Sequence, residues 1–177
     1  TFTPDYAAFT FRYTGFAEYG HTMTLDEILA SEGSRFYRYS GEVDDASGGE
    51  SDGDFSLERL WIASDNALVE RVDAEMAMDN CYDQITLLRT PFVEGGQFTQ
   101  TVTTTDGATH DLVTTIDRLV ETPEGWEITV TYREDGGAIY EKRTFREDTG
   151  LIFYERMLPN EDAEILLNYS YLETFSG

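Results

Sequence analysis

Among the side chains of this chain that can move protons, attack a carbon or hold a metal are thirty-five carboxylates, two histidines and one cysteine. The carboxylates are densest at Glu42, Asp44, Asp45, Glu50, Asp52 and Asp54, interleaved with Gly48, Gly49 and Gly53. Oxygen ligands on a glycine-rich loop suit Ca²⁺, which makes Asp44, Asp45, Asp52 and Asp54 the candidate ligands. The run lacks the Asp-x-Asp-x-Asp-Gly register closed by a Glu that makes an EF-hand signal specific, so a solvated hairpin tip accounts for it equally. No other cofactor is implied.

A glycosidase needs two carboxylates about 5 to 9.5 Å apart, and among thirty-five the sequence selects no pair. Tyr37, Tyr39, Trp61 and Trp126 could line the aromatic cleft of such an enzyme, although packed core aromatics explain the same residues more economically. Nucleophilic hydrolysis would need His21 or His110 beside an activated hydroxyl, and the Ser-Gly pairs at 40–41, 47–48 and 176–177 read as turns. Both histidines are expected at surface or hairpin positions. Cys81 stands between Asp79 and Asp83, which disfavour a thiolate, so it is expected to be structural. A lone cysteine also excludes an intrachain disulfide, and no Cys/His spacing resembles a zinc site.

Twelve basic against thirty-five acidic residues leave a formal charge of -23. A surface so acidic repels phosphate backbones and anionic bilayers, which excludes nucleic acid as a partner. The bases are eleven arginines and Lys142 alone, so no lysine cluster tethers the chain to a membrane by charge. The acidity has three readings: solubility, a salt-adapted source, or cation binding. No apolar run approaches the roughly 18 to 20 residues that cross a bilayer as a helix. With 177 residues the chain is long enough for one well-buried core, and a single domain over 1–177 is expected, as a monomer.

The elements that must position these residues are strands. Ile128, Val130 and Tyr132 alternate with Thr129 and Thr131, and Asp106-Gly107 supplies the positive φ of a tight hairpin. Asp135-Gly136-Gly137 and Asp148-Thr149-Gly150 punctuate further hairpins, and Ile165, Leu167, Tyr169 and Tyr171 continue the alternation. Leu25 to Glu32 is a conflict. Thr24 with Glu27 forms a capping box, Met23 with Ile28 a hydrophobic staple, and Gly33 a helix stop, yet Glu18 to Leu29 reads equally as a strand. A second short helical turn is possible between Asp73 and Tyr82.

About ten strands joined by short turns cannot stay flat and open. The expected fold is all-β: one antiparallel meander curled into a half-barrel, barrel or two-layer sandwich, with at most one or two short helices. Such a sheet offers a concave face or mouth to an apolar or saccharide ligand, or an edge to another protein's strand. Phe36, Tyr37, Tyr39, Trp61, Tyr132 and Tyr140 are the candidate lining residues, unless they fill the core.

The run Leu87-Leu88-Arg89-Thr90-Pro91-Phe92-Val93-Glu94-Gly95-Gly96, followed by Thr122-Pro123-Glu124-Gly125-Trp126 and Thr149-Gly150-Leu151-Ile152, is familiar as an order of strand ends and turns. It resembles the exported lipoprotein-type β domains of Gram-positive bacteria, with Tyr13, Gly15, Glu18 and Tyr19 as the early part of the pattern. The resemblance implies a strand at Glu18 to Leu29 and an extracellular or cell-envelope setting. It also implies a lipid anchor upstream of this chain, with the signal segment removed, as a start at Thr1 suggests. The family has no assigned activity and carries over no site residue. The reading is a non-enzymatic binding or assembly domain whose partner is an apolar or saccharide ligand or a cell-surface protein, with a carboxylate-pair hydrolase as the alternative.

Overall fold

The computed structural model describes residues 1–5, 7, 9–15, 20–44, 53–75, 82–104, 107–137, 140–159 and 164–176. Twelve strands follow in chain order: β1 (Phe9–Gly15), β2 (His21–Ser31), β3 (Ser34–Val43), β4 (Ser56–Ala63), β5 (Ala67–Glu75), β6 (Gln84–Arg89), β7 (Gln97–Thr103), β8 (Thr109–Thr122), β9 (Gly125–Glu134), β10 (Tyr140–Arg146), β11 (Gly150–Pro159) and β12 (Glu164–Ser176). All lie in one antiparallel sheet that curls into a nearly closed barrel, and no helix occurs among the described residues.

Each strand pairs with its sequence neighbours, and β1 pairs with β12. The two edges of the sheet are therefore β6 and β7, consecutive in the chain. Curling brings these edges together, with a bridge from Tyr82 to Thr104 and a 2.9 Å bond from the Asp83 N–H to the Thr103 carbonyl. Higher up, the Gln100 side chain spans the gap. Its carboxamide oxygen accepts the Thr86 N–H at 2.8 Å, and its amide nitrogen donates to the Thr86 carbonyl at 3.0 Å and to the Thr114 hydroxyl at 2.9 Å. A primary amide carries the same donor and acceptor as a peptide unit, so Gln100 stands in for a missing rung of the ladder. Gln100→Ala is expected to cost about 1–3 kcal/mol, the price of leaving those half-buried groups unpaired, with amide exchange accelerated in β6. A loss below about 0.5 kcal/mol in urea denaturation would mean that the seam is held elsewhere.

The conflict at residues 25–32 resolves as strand, and the register explains the helical signal. His21, Met23 and Leu25 are buried on one face, a bulge falls between Leu25 and Glu27, and Ile28 then packs against the core. An inserted residue turns a period of two into a spacing of three, which mimics a helix over that short span. Gly33, at φ 81°, is no helix stop; with Glu32 at φ 48° it forms the two-residue turn from Ser31 to Ser34. Further bulges in β5, β6, β8, β11 and β12 bend the sheet toward closure. Residues 73–75 belong to β5. Residues 76–81 of the proposed second helical turn, Cys81 among them, and Glu18, Tyr19, Asp106 and the acidic tip at 45–52 lie outside the described residues, while Tyr82 bridges to Thr104.

The barrel is filled. Leu25, Leu57, Leu87, Leu112, Ile128, Val130 and Phe145 are fully buried, and Trp61 meets the ring of Phe145 from across the interior at 6.0 Å. Tyr132 on β9 donates its hydroxyl to the Leu87 carbonyl of β6, across the seam, at 2.7 Å.

Candidate functional site

One end of the barrel gathers the turns β2–β3, β4–β5, β8–β9 and β10–β11, the loop between β6 and β7, and the chain start. β1 begins opposite Leu25, while β2 and β3 run on to Ser31 and Ser34, so this end of the wall lacks its β1 partner. Residues Thr1 to Pro4 occupy the gap as a strap. The Thr1 carbonyl accepts the Asp148 N–H at 2.6 Å, and its ammonium lies 3.1 Å from the Asp148 carboxylate and 3.5 Å from that of Glu147. The buried Thr3 hydroxyl donates to Tyr37 at 2.9 Å, and Phe2 meets Phe92 edge to face at 5.4 Å.

Between strap and wall opens a cavity of about 640 Å³. Its walls are mainly apolar, from Phe2, Leu68, Leu88, Phe92, Leu119 and Trp126, with Arg35, Asp65 and Glu147 among the polar residues of the lining. Volume and lining are those of a small-ligand site. Trp126 is 41% exposed, an uncommon state for a tryptophan with no polar role, because turn 123–124 delivers it to the rim.

Below the cavity lies a buried ionic network. Glu70 on β5 receives Arg143 Nη1 from β10 at 2.7 Å, across the interior, and the Trp61 indole N–H at 2.8 Å. Arg143 Nε also donates to Glu141, which Tyr154 reaches at 3.4 Å, and Arg59 stands 4.0 Å from Glu70. Burial alone would push the Glu70 carboxyl up. The guanidinium groups of Arg143 and Arg59 and the two hydrogen bonds outweigh it and hold Glu70 below the usual carboxylate range. Burial would likewise lower Arg143, but Glu141 and Glu70 keep it firmly charged. Burial first of all pushes the Tyr39 and Tyr132 hydroxyls well up, so both stay neutral. A carboxylate bonded in this way is a poor general acid, which needs a raised pKa. Beside the network a void of about 20 Å³, between Phe11, His21, Arg59 and Trp61, has room for a water molecule and nothing larger.

The six aromatic candidates separate by strand parity. Tyr37, Tyr39, Trp61 and Tyr132 are buried inside, with Tyr39 and Trp61 in an edge contact at 5.2 Å, and of these Tyr37 reaches the cavity. Phe36, next to Tyr37, faces outward opposite Leu29. Tyr140 is also outside, where Arg133 and Lys142 lie over its ring at 4.9 and 5.6 Å and its hydroxyl donates to Glu155 at 2.9 Å. Those cations crowd the outer polar groove of about 390 Å³ that Tyr140 lines. Phe2 and Phe92 escaped sequence reasoning because loop and terminal positions have no periodicity to betray them, and Leu119 because a bulge between Ile116 and Arg118 shifts the alternation of β8 just before it.

Of the candidate calcium ligands, Asp44 is held by Arg12 through both oxygens, at 2.8 and 2.6 Å. Asp54 accepts the Ser56 N–H at 2.9 Å, which holds its carboxyl below the usual range. Asp45 and Asp52 lie outside the described residues, and among those described no three metal-ligating side chains converge. His21 is not on the surface: it is buried and stacked on Tyr13 at 4.7 Å. His110 Nδ1 lies 2.9 Å from Glu134. Contrary to the expectation that no Gly-x-Ser-x-Gly elbow announces a nucleophile, that spacing occurs once, at Gly49-Glu50-Ser51-Asp52-Gly53. An elbow turns from a strand into a helix, whereas the next element here is strand β4.

No family model and no curated protein matches the chain. Two solved structures are similar to it. One is a presumed exported protein with a YmcC-like fold from Bacteroides fragilis, at 12% identity and a TM-score of 0.56 over 98% of both chains. The other is a presumed lipoprotein from Parabacteroides distasonis, at 11% identity and a TM-score of 0.48, again over 98% of both. The first of these likenesses is one of fold over nearly the whole chain, and its source is not the Gram-positive one to which the turn punctuation pointed.

Proposed function

We propose that this chain is a non-enzymatic binding domain of the cell envelope that takes the apolar part of a small ligand into the mouth of its barrel. One observation carries the reading: a cavity of about 640 Å³ with a mainly apolar wall, open at the end of an otherwise filled barrel. The exported setting draws support from the description of the Bacteroides fragilis protein that shares the fold. Burial of each methylene contributes about 0.8 kcal/mol, so affinity for straight-chain alcohols is expected to rise about fourfold per added carbon until the cavity is full.

Trp126 at the rim reports occupancy by its fluorescence. Leu119→Asn, which puts an amide into the apolar wall, should weaken dodecanol at least about tenfold without shifting the urea midpoint much, since Leu119 is only partly buried. A fluorescence signal that ignores alcohols of every length would overturn the reading.

A further inference from the structure

We propose that the ligand of the mouth is a single-chain amphiphile with an anionic head, and that Arg35 binds the head. This inference rests on the reading of the mouth as an apolar ligand site and adds the class of ligand. Arg35 lies near the start of β3, on the face that carries Tyr37 and Tyr39 inward, and it lines the cavity. Four arginines lie on inward-facing or buried positions of the described strands, and three of them are engaged. Arg143 bonds Glu70 and Glu141, Arg59 stands beside Glu70, and Arg156 lies over the Tyr82 ring at 5.4 Å. Among the described residues the guanidinium of Arg35 has no hydrogen bond, ion pair or ring contact.

That vacancy is notable in a chain whose acidic residues outnumber its bases by 35 to 12. On the outer face Arg12, Arg38 and Arg146 pair with carboxylates, and Arg118, which like Arg35 has no such contact, lies away from the cavity. A planar guanidinium presents a fork that a carboxylate or phosphate fills with two charge-assisted hydrogen bonds. Seated at the rim above an apolar cavity, it suits a molecule whose charged end stays near water and whose tail goes inside. Glu147, the carboxylate next to the strap, already accepts the Trp126 backbone N–H at 3.4 Å and lies 3.5 Å from the Thr1 nitrogen. Asp65, in the turn after β4, is the carboxylate that competes with this assignment, because it would favour a cationic head instead.

The experiment compares dodecanoate, dodecyl phosphate, dodecanol and dodecyltrimethylammonium by Trp126 fluorescence, below their micelle concentrations, on the wild-type chain, Arg35→Gln and Arg35→Lys. The expected result is that at least one anionic probe binds about tenfold more tightly than dodecanol. That preference should vanish in Arg35→Gln and persist in part in Arg35→Lys, with dodecanol unchanged throughout. Whichever anion leads tells whether a free fatty acid or a phosphate-headed lipid is the source of the chemistry. Equal binding of dodecanol and both anions would overturn the role of Arg35 and leave the apolar mouth intact. Tightest binding of the trimethylammonium probe would overturn it in favour of Asp65. Failure of all four probes would overturn the mouth itself as a ligand site.

Discussion

Arg143→Ala is expected to destabilise the protein by about 3–5 kcal/mol, the cost of leaving a buried charge uncompensated. Glu70 and Glu141 are almost completely buried, and Arg143 is the cation within hydrogen-bond reach of both. Removing it strands two buried carboxylates without the cation they share, so they must take up protons, draw water inside, or let the walls part. The contact also joins β5 to β10, strands that are not neighbours in the sheet, and its loss loosens the packing of one wall on the other. The control is the quadruple variant Glu70→Gln, Arg143→Met, Glu141→Leu, Arg59→Met, which removes all four charges of the network, approximately keeps volume and retains an acceptor for the Trp61 indole. It should recover most of the loss, because apolar replacement of a buried ion network is often neutral or stabilising. Urea denaturation reads both. A single variant costing less than about 1 kcal/mol, or a quadruple variant no better than the single, would show that shape and not charge holds the two walls.

The second large effect is one of salt. A formal charge of -23 on 177 residues makes the folded chain repel itself, and compaction increases that repulsion. Raising KCl from 0.1 to 1 M shortens the screening length from about 10 to about 3 Å. Screening of this kind is expected to return on the order of 3–5 kcal/mol, which for a chain of this size moves the melting midpoint up by about 10 °C. The buried network contributes little to that rise, since salt hardly screens charges removed from solvent. A midpoint that stays put or falls between the two salt concentrations would show that the acidity serves solubility alone.

The fold was legible where strands alternate cleanly, as at Ile128, Val130 and Tyr132, and where Gly-containing turns punctuate them. It was obscured at Leu25 to Ile28, where a bulge disguised strand periodicity as helical. The site was less legible. Alternation marks which aromatics share a face, yet it does not say whether that face encloses space, and Tyr39, Trp61 and Tyr132 turned out to be packing. Grouping Phe36 with Tyr37 ignored that adjacent strand residues point opposite ways. The ionic network was invisible because Glu70 and Arg143 are separated by 73 residues and sit at positions where a period of two predicts apolar side chains. The cavity arises from Phe2, Phe92 and Trp126, which chain start, loop and turn bring together only after the barrel curls.

The pairing of β1 with β12 has a consequence for how the molecule assembles. Because the sheet's edges are β6 and β7, the ladder between first and last strands lies at its centre, flanked by two runs of six that are each contiguous in the chain. Within each run every partner is a near neighbour, so each half can zip up locally and early. The central ladder waits for β12, the last strand of the sheet to emerge, since Phe9 pairs with Ser176. Until then each half exposes an unmatched strand, β1 on one and β12 on the other, and the same edge that completes the barrel within one chain could join two chains by exchange of halves. The order of synthesis therefore makes the middle of the sheet the last part of it to form.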